Sequence, residues 1–119
     1  MGLSLELGHW GESLAAEYLK QKGYKILERN FGYKHSEVDI IAFDEPLTVF
    51  VEVRTRQSHA LVSGYFSVSK KKKQALKPAC YHYIRSYQLE FYRFDVIEIA
   101  YNEREHKLFH FENIPFFAN

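Results

Sequence analysis

Hydrophobic and polar positions follow two different periods along this chain. Apolar side chains recur every three to four positions over residues 8–22, which predicts an amphipathic helix, and Gly23 is a natural C-terminal stop. The residues after Gly23 are rich in Val, Ile and aromatic side chains and alternate with a period of two, which is typical of strands. The pattern predicts three successive strands at residues 24–31, 37–43 and 47–55.

The second half of the chain predicts a further helix and two further strands. Ser69 favours a helix start, because its hydroxyl can accept a hydrogen bond from the first turn, and the helix should run to about residue 86. Pro78 lies inside this helix and should kink or split it, at a cost of about 3 kcal/mol unless it is compensated. Strands are predicted at residues 91–101 and 107–112.

The order of these elements predicts the fold class. The short connections between the first three strands indicate an antiparallel meander, whereas the helix before the fourth strand is long enough for a parallel crossover. We therefore expect an α/β fold with a mixed central sheet flanked by helices. The length of 119 residues fits one domain, residues 1–119.

Composition and charge add few constraints. The net charge of +1 does not by itself indicate a nucleic-acid-binding protein. The single cysteine, Cys80, precludes an intramolecular disulfide, which suits a reducing compartment. The sequence shows no secretion signal and no apolar run long enough to span a bilayer, so we expect a cytoplasmic protein without a membrane partner.

Two carboxylates on the second and third predicted strands are the most informative feature. If Phe43 pairs with Thr48, Asp39 lies opposite Glu52 and both side chains share one face of the sheet. Directly opposed like charges destabilise a sheet, and a divalent cation would remove the repulsion. Mg²⁺ is commonly held by one or two carboxylates together with water and phosphate oxygens. The pattern is therefore compatible with a metal site, although solvated strand carboxylates are the more common explanation of such a pair.

Three further charged residues lie near this pair in the predicted sheet. The same register places Glu37 opposite Arg54, and a cross-strand ion pair is the favoured interpretation of those two. Glu12 projects from the sheet-facing side of the first helix. It could complete an acidic cluster with Asp39 and Glu52, and a partly exposed position at the helix boundary is an equally good interpretation.

A run of four lysines, residues 70–73, opens the second predicted helix. Cations near a helix N-terminus are unfavourable by a few tenths to about 1 kcal/mol each, and contact with phosphate would offset that cost. We predict Lys72 and Lys73 as contacts to nucleic acid, with a solvated helix face as the alternative. Arg56, beyond the third strand, could reach a phosphate as well.

The ordered motifs of the chain resemble those of the YraN family. No single motif is decisive, but the set is specific because it recurs in order over nearly the whole chain. The segments that carry the resemblance are Gly11-Glu12, Asn30-Phe31, the run from Glu37 to Ala42, the run from Val49 to Arg56, Lys72, Ala79, Arg93-Phe94-Asp95-Val96 and His110-Phe111-Glu112-Asn113.

The YraN family is placed in the PD-(D/E)xK nuclease superfamily and is similar to archaeal Holliday-junction resolvases. The resemblance implies a restriction-endonuclease-like fold and a metal-dependent endonuclease acting on DNA, branched or flapped DNA included. It implies Asp39 and Glu52 as ligands of Mg²⁺ or Mn²⁺, the Val53 carbonyl as a further ligand and Glu12 as a catalytic acid. The resolvase analogy also implies a homodimer.

This sequence departs from the family pattern at two positions. Arg54 stands where the family usually has lysine, and Ser36 replaces a glycine. Arg54 could steady charge on the scissile phosphate as a catalytic residue, but arginine cannot give up a proton. Two alternatives therefore stay open. One is a nucleic-acid-binding module with degenerate catalysis, and the other is a protein-interaction domain that keeps the nuclease fold and uses its Phe-rich tail.

Overall fold

The computed structural model describes residues 2–65 and 67–117, and within them helices and strands follow in the predicted order. The elements are α1 (Gly2–Gln21), β1 (Lys25–Tyr33), β2 (Ser36–Asp44), β3 (Leu47–Gln57), α2 (Lys70–Tyr87), β4 (Tyr92–Tyr101) and β5 (His106–Phe111). None of the helices in the described part of the chain is long and apolar enough to cross a membrane.

The strands form a mixed sheet in the spatial order β1-β2-β3-β4-β5. β3 and β4 pair in parallel because α2 carries the chain back between them, and the other neighbouring strands pair antiparallel. The predicted α/β class is therefore confirmed, and the arrangement is consistent with a restriction-endonuclease-like fold. The pairing of Phe43 with Thr48, on which the predicted carboxylate register depends, is also confirmed.

One helix packs on each face of the sheet. Buried side chains of α1, with Ala15 and Leu19 at their centre, contact β-branched residues of β2, β3 and β4. On the opposite face α2 packs Leu76 and Tyr83 against a cluster that includes the fully buried Phe50. The candidate site lies between these two layers, where the pairing of β2 with β3 ends.

Several element boundaries differ from the predicted ones. α1 begins before Gly8, because one glycine inside a helix costs only about 1 kcal/mol and does not stop it. The connection between the first two strands, which the predicted strand bounds place at residues 32–36, is shorter in the structure, since β1 runs to Tyr33 and Lys34 and His35 connect it to β2. Lys34 adopts a left-handed conformation with φ 57°, as a tight hairpin requires.

Pro78 neither splits α2 nor ends it. The Ser36 hydroxyl, buried at the start of β2, donates to the Leu76 carbonyl over 3.2 Å and accepts from the Ala79 N–H over 3.1 Å. Ser36 thus supplies hydrogen bonds on both sides of the proline that disrupts the helical ladder. The predicted split at Pro78 is therefore wrong, because Ser36, the residue that replaces the family glycine, compensates the proline. The predicted N-cap Ser69 is confirmed.

The Phe-rich tail packs back on the α2 face of the sheet. Phe116 is 6% exposed and stacks on Phe94, with ring centroids 4.0 Å apart. Phe117 contacts Phe50 edge to face at 5.8 Å. These rings are therefore core residues, which removes the support that an exposed tail would give to a protein-interaction function. Residues 118 and 119 lie outside the described residues.

Candidate functional site

The site begins where β2 and β3 separate. Their pairing runs from Asp44–Leu47 to Ile40–Val51 and is not continued beyond it. The inward and outward alternation of β2 is interrupted at the same point, since Val38 and Ile41 pack beneath α2 whereas Ile40 packs beneath α1. Asp39 lies at this break, so its carboxylate points into the gap between the strands.

Asn30 of β1 marks the matching distortion in the neighbouring strand. It lies opposite Asp39, because the flanking residues Arg29 and Phe31 pair with Ile40 and Val38. Asn30 has φ 52°, a left-handed conformation that asparagine tolerates better than most residues. Its amide nitrogen donates to Glu12 Oε1 over 3.0 Å. In the sequence Asn30 is only one residue of a motif, whereas in the structure it holds Glu12.

A close approach of α1 to β3 brings Glu12 to the gap. Gly11 packs directly on Thr55, and a Cβ at Gly11 would lie 1.9 Å from the Thr55 hydroxyl oxygen. Only glycine therefore allows this helix–strand distance, and the next residue is Glu12. The resulting cleft has a volume of about 390 Å³ and is called the acidic cleft below. It is lined by Leu7, Gly8, Glu12, Asp39, Glu52, Val53, Thr55 and Lys72.

The carboxyl group of Asp39 is held in an environment that disfavours its charge. Val53 N–H donates to Asp39 Oδ2 over 2.8 Å, which lowers the pKa. Burial and the neighbouring carboxylates of Glu52 and Glu12 outweigh this hydrogen bond and raise the pKa of Asp39 to about 8. In the absence of a cation, this group therefore keeps its proton at neutral pH.

Glu52 extends into the cleft from the α2 face of the sheet. It is 8% exposed, and its Oε2 lies 3.3 Å from Lys72 Nζ. Lys72 is half exposed and lines both the acidic cleft and the adjoining groove that contains Arg54. The start of α2 thus places a cation beside the most buried carboxylate of the cleft, although the sequence predicted Lys72 only as a contact to nucleic acid.

The donor set of the cleft fits a Mg²⁺ or Mn²⁺ ion. In the described part of the chain, no group of three or more His, Cys, Asp or Glu side chains is arranged to enclose a metal by itself. Mg²⁺ does not need such a group, because one or two carboxylates suffice when water and phosphate oxygens complete the octahedron. A divalent cation between Asp39 and Glu52 would relieve the repulsion that raises the Asp39 pKa.

Val53 supplies a backbone oxygen on the same side as these carboxylates. The N–H and C=O groups of one strand residue point towards the same neighbouring strand. Since Val53 N–H reaches Asp39, its carbonyl also faces the gap that β2 leaves. Its predicted role as a metal ligand is compatible with this direction and stays a prediction.

The predicted opposition of Glu37 and Arg54 is wrong. The β2–β3 pairing ends before it reaches them, and Glu37 pairs with Gly32 of β1 instead. Arg54 is exposed on the α2 side, where its guanidinium carbon lies 5.8 Å from the Tyr65 ring centroid. It lines the groove next to Glu52 and Lys72, so it remains within the surroundings of the cleft.

The two other predicted nucleic-acid contacts differ in their surroundings. Arg56 Nε donates to the buried Glu98 over 2.9 Å, and the guanidinium also bonds the carbonyls of Gln57 and Val62. Burial disfavours the charge of Glu98, but hydrogen bonds from Ser63 and Arg56 outweigh it and lower the pKa. Arg56 therefore anchors the loop after β3. Lys73 lies half-buried in the first turn of α2, and its contact to nucleic acid stays a prediction.

Comparison with known proteins agrees with the motif order. The family model described as uncharacterised protein family UPF0102 matches residues 11–99. A UPF0102 protein from Syntrophomonas wolfei is 42% identical over 113 residues, which cover 93% of this chain and 98% of the relative. A UPF0102 protein from Flavobacterium johnsoniae is 46% identical over 102 residues, covering 82% and 83% of the two chains. The chain therefore belongs to the YraN-like family UPF0102.

Proposed function

We propose that this chain is a metal-dependent endonuclease-like domain of the PD-(D/E)xK superfamily that acts on DNA, branched or flapped DNA included. The observation that carries the proposal is the convergence of Glu12, Asp39 and Glu52 on one cleft, where Asp39 has too few donors for its charge. A protein maintains such an arrangement at a cost in stability, which is common at functional sites.

The residues of the cleft have distinct tasks in this function. Asp39 and Glu52 hold a Mg²⁺ or Mn²⁺ ion, with the Val53 carbonyl as a further oxygen. The bound ion would polarise the scissile phosphate and lower the pKa of a coordinated water. Glu12, fixed by its hydrogen bond from Asn30, orients the attacking water.

The cations on the α2 side bind the phosphate. Lys72 lies beside Glu52, and Arg54 lines the same groove. Both can contact the non-bridging oxygens as negative charge builds on them. Lys73, in the same helical turn as Lys72, extends the basic surface along the DNA backbone.

A binding module without catalysis is the second candidate function, and Arg54 is the observation that favours it. Arginine stands in the position where the family usually has lysine, and its guanidinium lies over Tyr65 rather than over the carboxylates. A guanidinium cannot take part in proton transfer to or from water. If the lysine has that task in relatives, this chain binds DNA in the same cleft without cutting it.

Cleavage of end-labelled duplex, single-stranded, flapped and four-way-junction DNA in Mg²⁺ and in Mn²⁺ tests the proposal. We expect cutting by the wild type, none by Glu52→Gln, and wild-type cutting by Glu17→Gln, which removes an exposed carboxylate from the same protein. Cutting that survives Glu52→Gln would indicate a contaminating nuclease and contradict the assignment of the site.

The variant Arg54→Lys separates the two candidate functions. Cutting that appears only in Arg54→Lys would show an intact scaffold in a chain that binds without catalysis. If neither protein cuts any substrate in either metal, the endonuclease proposal is wrong. Binding of the same labelled DNA, measured by fluorescence anisotropy, then decides whether the binding function stands.

A further inference from the structure

A second cavity of about 420 Å³ adjoins the acidic cleft at the same end of the sheet. It is called the aromatic pocket below, and its lining combines the rings of Trp10, Tyr101 and His106 with several charged residues. Leu7 of α1 lines both cavities. Thr55 of β3 lines the cleft, and two residues further along the strand Gln57 pairs with Tyr101 of the pocket. The two cavities are therefore neighbours.

Trp10 is held in a fixed orientation in this pocket. Its ring lies edge to face with Tyr101 at a centroid distance of 5.9 Å and with His106 at 5.3 Å, both at nearly right angles. The residue is nevertheless 37% exposed, so part of the indole remains open to a ligand. Aromatic side chains fixed in this way provide stacking surfaces for the bases of single-stranded nucleic acid.

The charged residues that line the aromatic pocket disfavour binding of a phosphate there and favour binding of a nucleobase. Glu6, Glu103 and Glu105 line the pocket together with one cation, Arg104, so acidic groups dominate. Carboxylates repel phosphate, but they accept hydrogen bonds from exocyclic amino groups such as N4 of cytosine. An unstacked base with an amino group therefore matches both the aromatic wall and the acidic rim.

We propose that the aromatic pocket binds an unstacked, amino-bearing nucleobase of the DNA strand whose phosphate lies in the acidic cleft. The inference rests on the proposed function and narrows its substrate class to DNA with single-stranded character. Bases within an intact duplex are stacked and paired, and they cannot enter the pocket unless they are extruded.

Fluorescence of Trp10 tests the proposal directly, because the chain contains only this tryptophan. Short single strands of deoxycytidine, deoxyadenosine or deoxythymidine are titrated into the protein with Ca²⁺ in place of Mg²⁺. Binding is followed in parallel by anisotropy of a label on the DNA. We expect the cytosine and adenine strands to quench Trp10 and to bind several-fold more tightly than the thymine strand, and duplex DNA to bind without quenching.

Variants separate base stacking from a general effect on the fold. Trp10→Leu should weaken binding of the cytosine strand roughly 10-fold, within the range that loss of one stacked base gives. Trp10→Phe should restore most of the affinity. Phe91→Leu removes an exposed aromatic residue at the opposite end of β4 and should leave binding unchanged. Thermal melting of each variant shows whether it is folded.

Each remaining result overturns a defined part of the inference. Saturating DNA that leaves Trp10 fluorescence unchanged, or Trp10→Leu with wild-type affinity, overturns base binding while the proposed function survives. Equal quenching and affinity for the thymine strand overturn the preference for amino-bearing bases. Quenching without cleavage in Mg²⁺ preserves the pocket and refutes the nuclease. Absence of binding to every strand refutes both.

Discussion

Two aspartates of this chain, the fully buried Asp95 and the partly buried Asp39, lie in opposite electrostatic surroundings. Asp95 of β4 is fully buried, and Arg93 Nε, His110 Nε2 and the Asn113 N–H all lie within 3.0 Å of its oxygens. Burial disfavours its charge, but these contacts outweigh burial and lower its pKa. Asp39 receives one backbone N–H and lies against further carboxylates, and its pKa rises to about 8.

The difference indicates a structural role for Asp95 and makes Asp39 the candidate for a functional role. The carboxylate of Asp95 has its cation within the fold, in a guanidinium that is only 12% exposed. Among the described residues that line the acidic cleft, the only cation is Lys72, which is half exposed and contacts Glu52. A group that the fold leaves without compensation is a candidate for compensation by a ligand. Removal of each carboxylate should therefore have effects of opposite sign on stability.

The largest expected effect is the loss of stability in Asp95→Asn. This change removes the buried carboxylate that pairs with Arg93, and the half-exposed Glu112 and Asp44 remain at 3.5 and 4.0 Å. Loss of one partner of a buried ion pair typically costs about 3–5 kcal/mol. Urea denaturation followed by circular dichroism measures the free energy of unfolding. Asp44→Asn is the matched control, because Asp44 is half exposed and lies at the longer distance of 4.0 Å from Arg93. Loss of this exposed ion pair should lower the free energy of unfolding by less than about 1 kcal/mol. Equal losses in both variants would contradict the structural role of Asp95.

Asp39→Asn should raise stability when divalent cations are absent. The amide can still accept from Val53 N–H, and it avoids the penalty that raises the Asp39 pKa, so we expect a gain of roughly 1–3 kcal/mol at pH 7. Mg²⁺ should raise the melting temperature of the wild type and not that of the variant. If Asp39→Asn instead lowers the free energy of unfolding, Asp39 stabilises the fold as Asp95 does, and the proposed difference between the two aspartates is wrong.

A plot of the free energy of unfolding against pH should contain two separate sloping regions, called limbs below, one for each aspartate. Between pH 3.8 and about 8 the unfolded chain has an ionised Asp39 while the folded chain keeps the proton, so the Asp39 contribution falls as pH rises. The contribution of Asp95 is present above its ordinary value of 3.8 and is lost as pH falls through its lower folded value. Each limb has a slope of at most about 1.4 kcal/mol per pH unit.

Difference curves between the wild type and each variant, measured with EDTA, isolate the limbs. Asp39→Asn should flatten the limb between about pH 4 and 8, and Asp95→Asn should flatten only the acid limb. An Asp39→Asn curve parallel to that of the wild type over that range would show that the carboxyl is ionised in the folded protein.

Much of this fold follows from local patterns in the sequence. Two periods of hydrophobicity predict the helices and strands, and the pairing of Phe43 with Thr48 follows from a short connection that allows few registers. The predicted direct opposition of Asp39 and Glu52 is not part of the pairing, but both residues lie one position beyond the last regular pair and meet in the acidic cleft. The predicted sheet-facing position of Glu12 agrees with its place in the cleft.

The features that sequence analysis missed depend on contacts between distant segments. The separation of β2 from β3 arises where Asn30 and Asp39 distort neighbouring strands together, and no periodicity in either strand shows it. Ser36 supplies hydrogen bonds to α2 on both sides of Pro78 but lies 42 positions earlier in the sequence. The local pattern around Pro78 therefore predicts a break in the helix. Lys72 reaches Glu52 only because the crossover between β3 and β4 places the start of α2 beside Glu52. Of these features, only the distortion of β1 at Asn30 has a local signal in the sequence. An asparagine within a strand pattern can indicate a residue in the left-handed conformation.

The smallest expected change in stability concerns the cation of the cleft. Lys72→Gln removes a half-exposed ion pair and should lower the free energy of unfolding by less than about 1 kcal/mol. Asp95→Asn, which removes the buried partner of Arg93, should lower it by more. Its effect on DNA binding should be larger. If Lys72 contacts a phosphate, the slope of log affinity against log salt should fall by about 1.

Lys71→Gln is the matched control for this last measurement. Lys71 is exposed one position earlier in α2, about 100° around the helix axis from Lys72, and it does not line the acidic cleft. Anisotropy titrations of labelled single-stranded DNA over a salt series should give a reduced slope for Lys72→Gln and a smaller change for Lys71→Gln. Equal changes would mean that the lysine run attracts DNA diffusely. Lys72 would then be an ordinary surface cation, and the cleft would have to obtain its compensating charge from the metal alone.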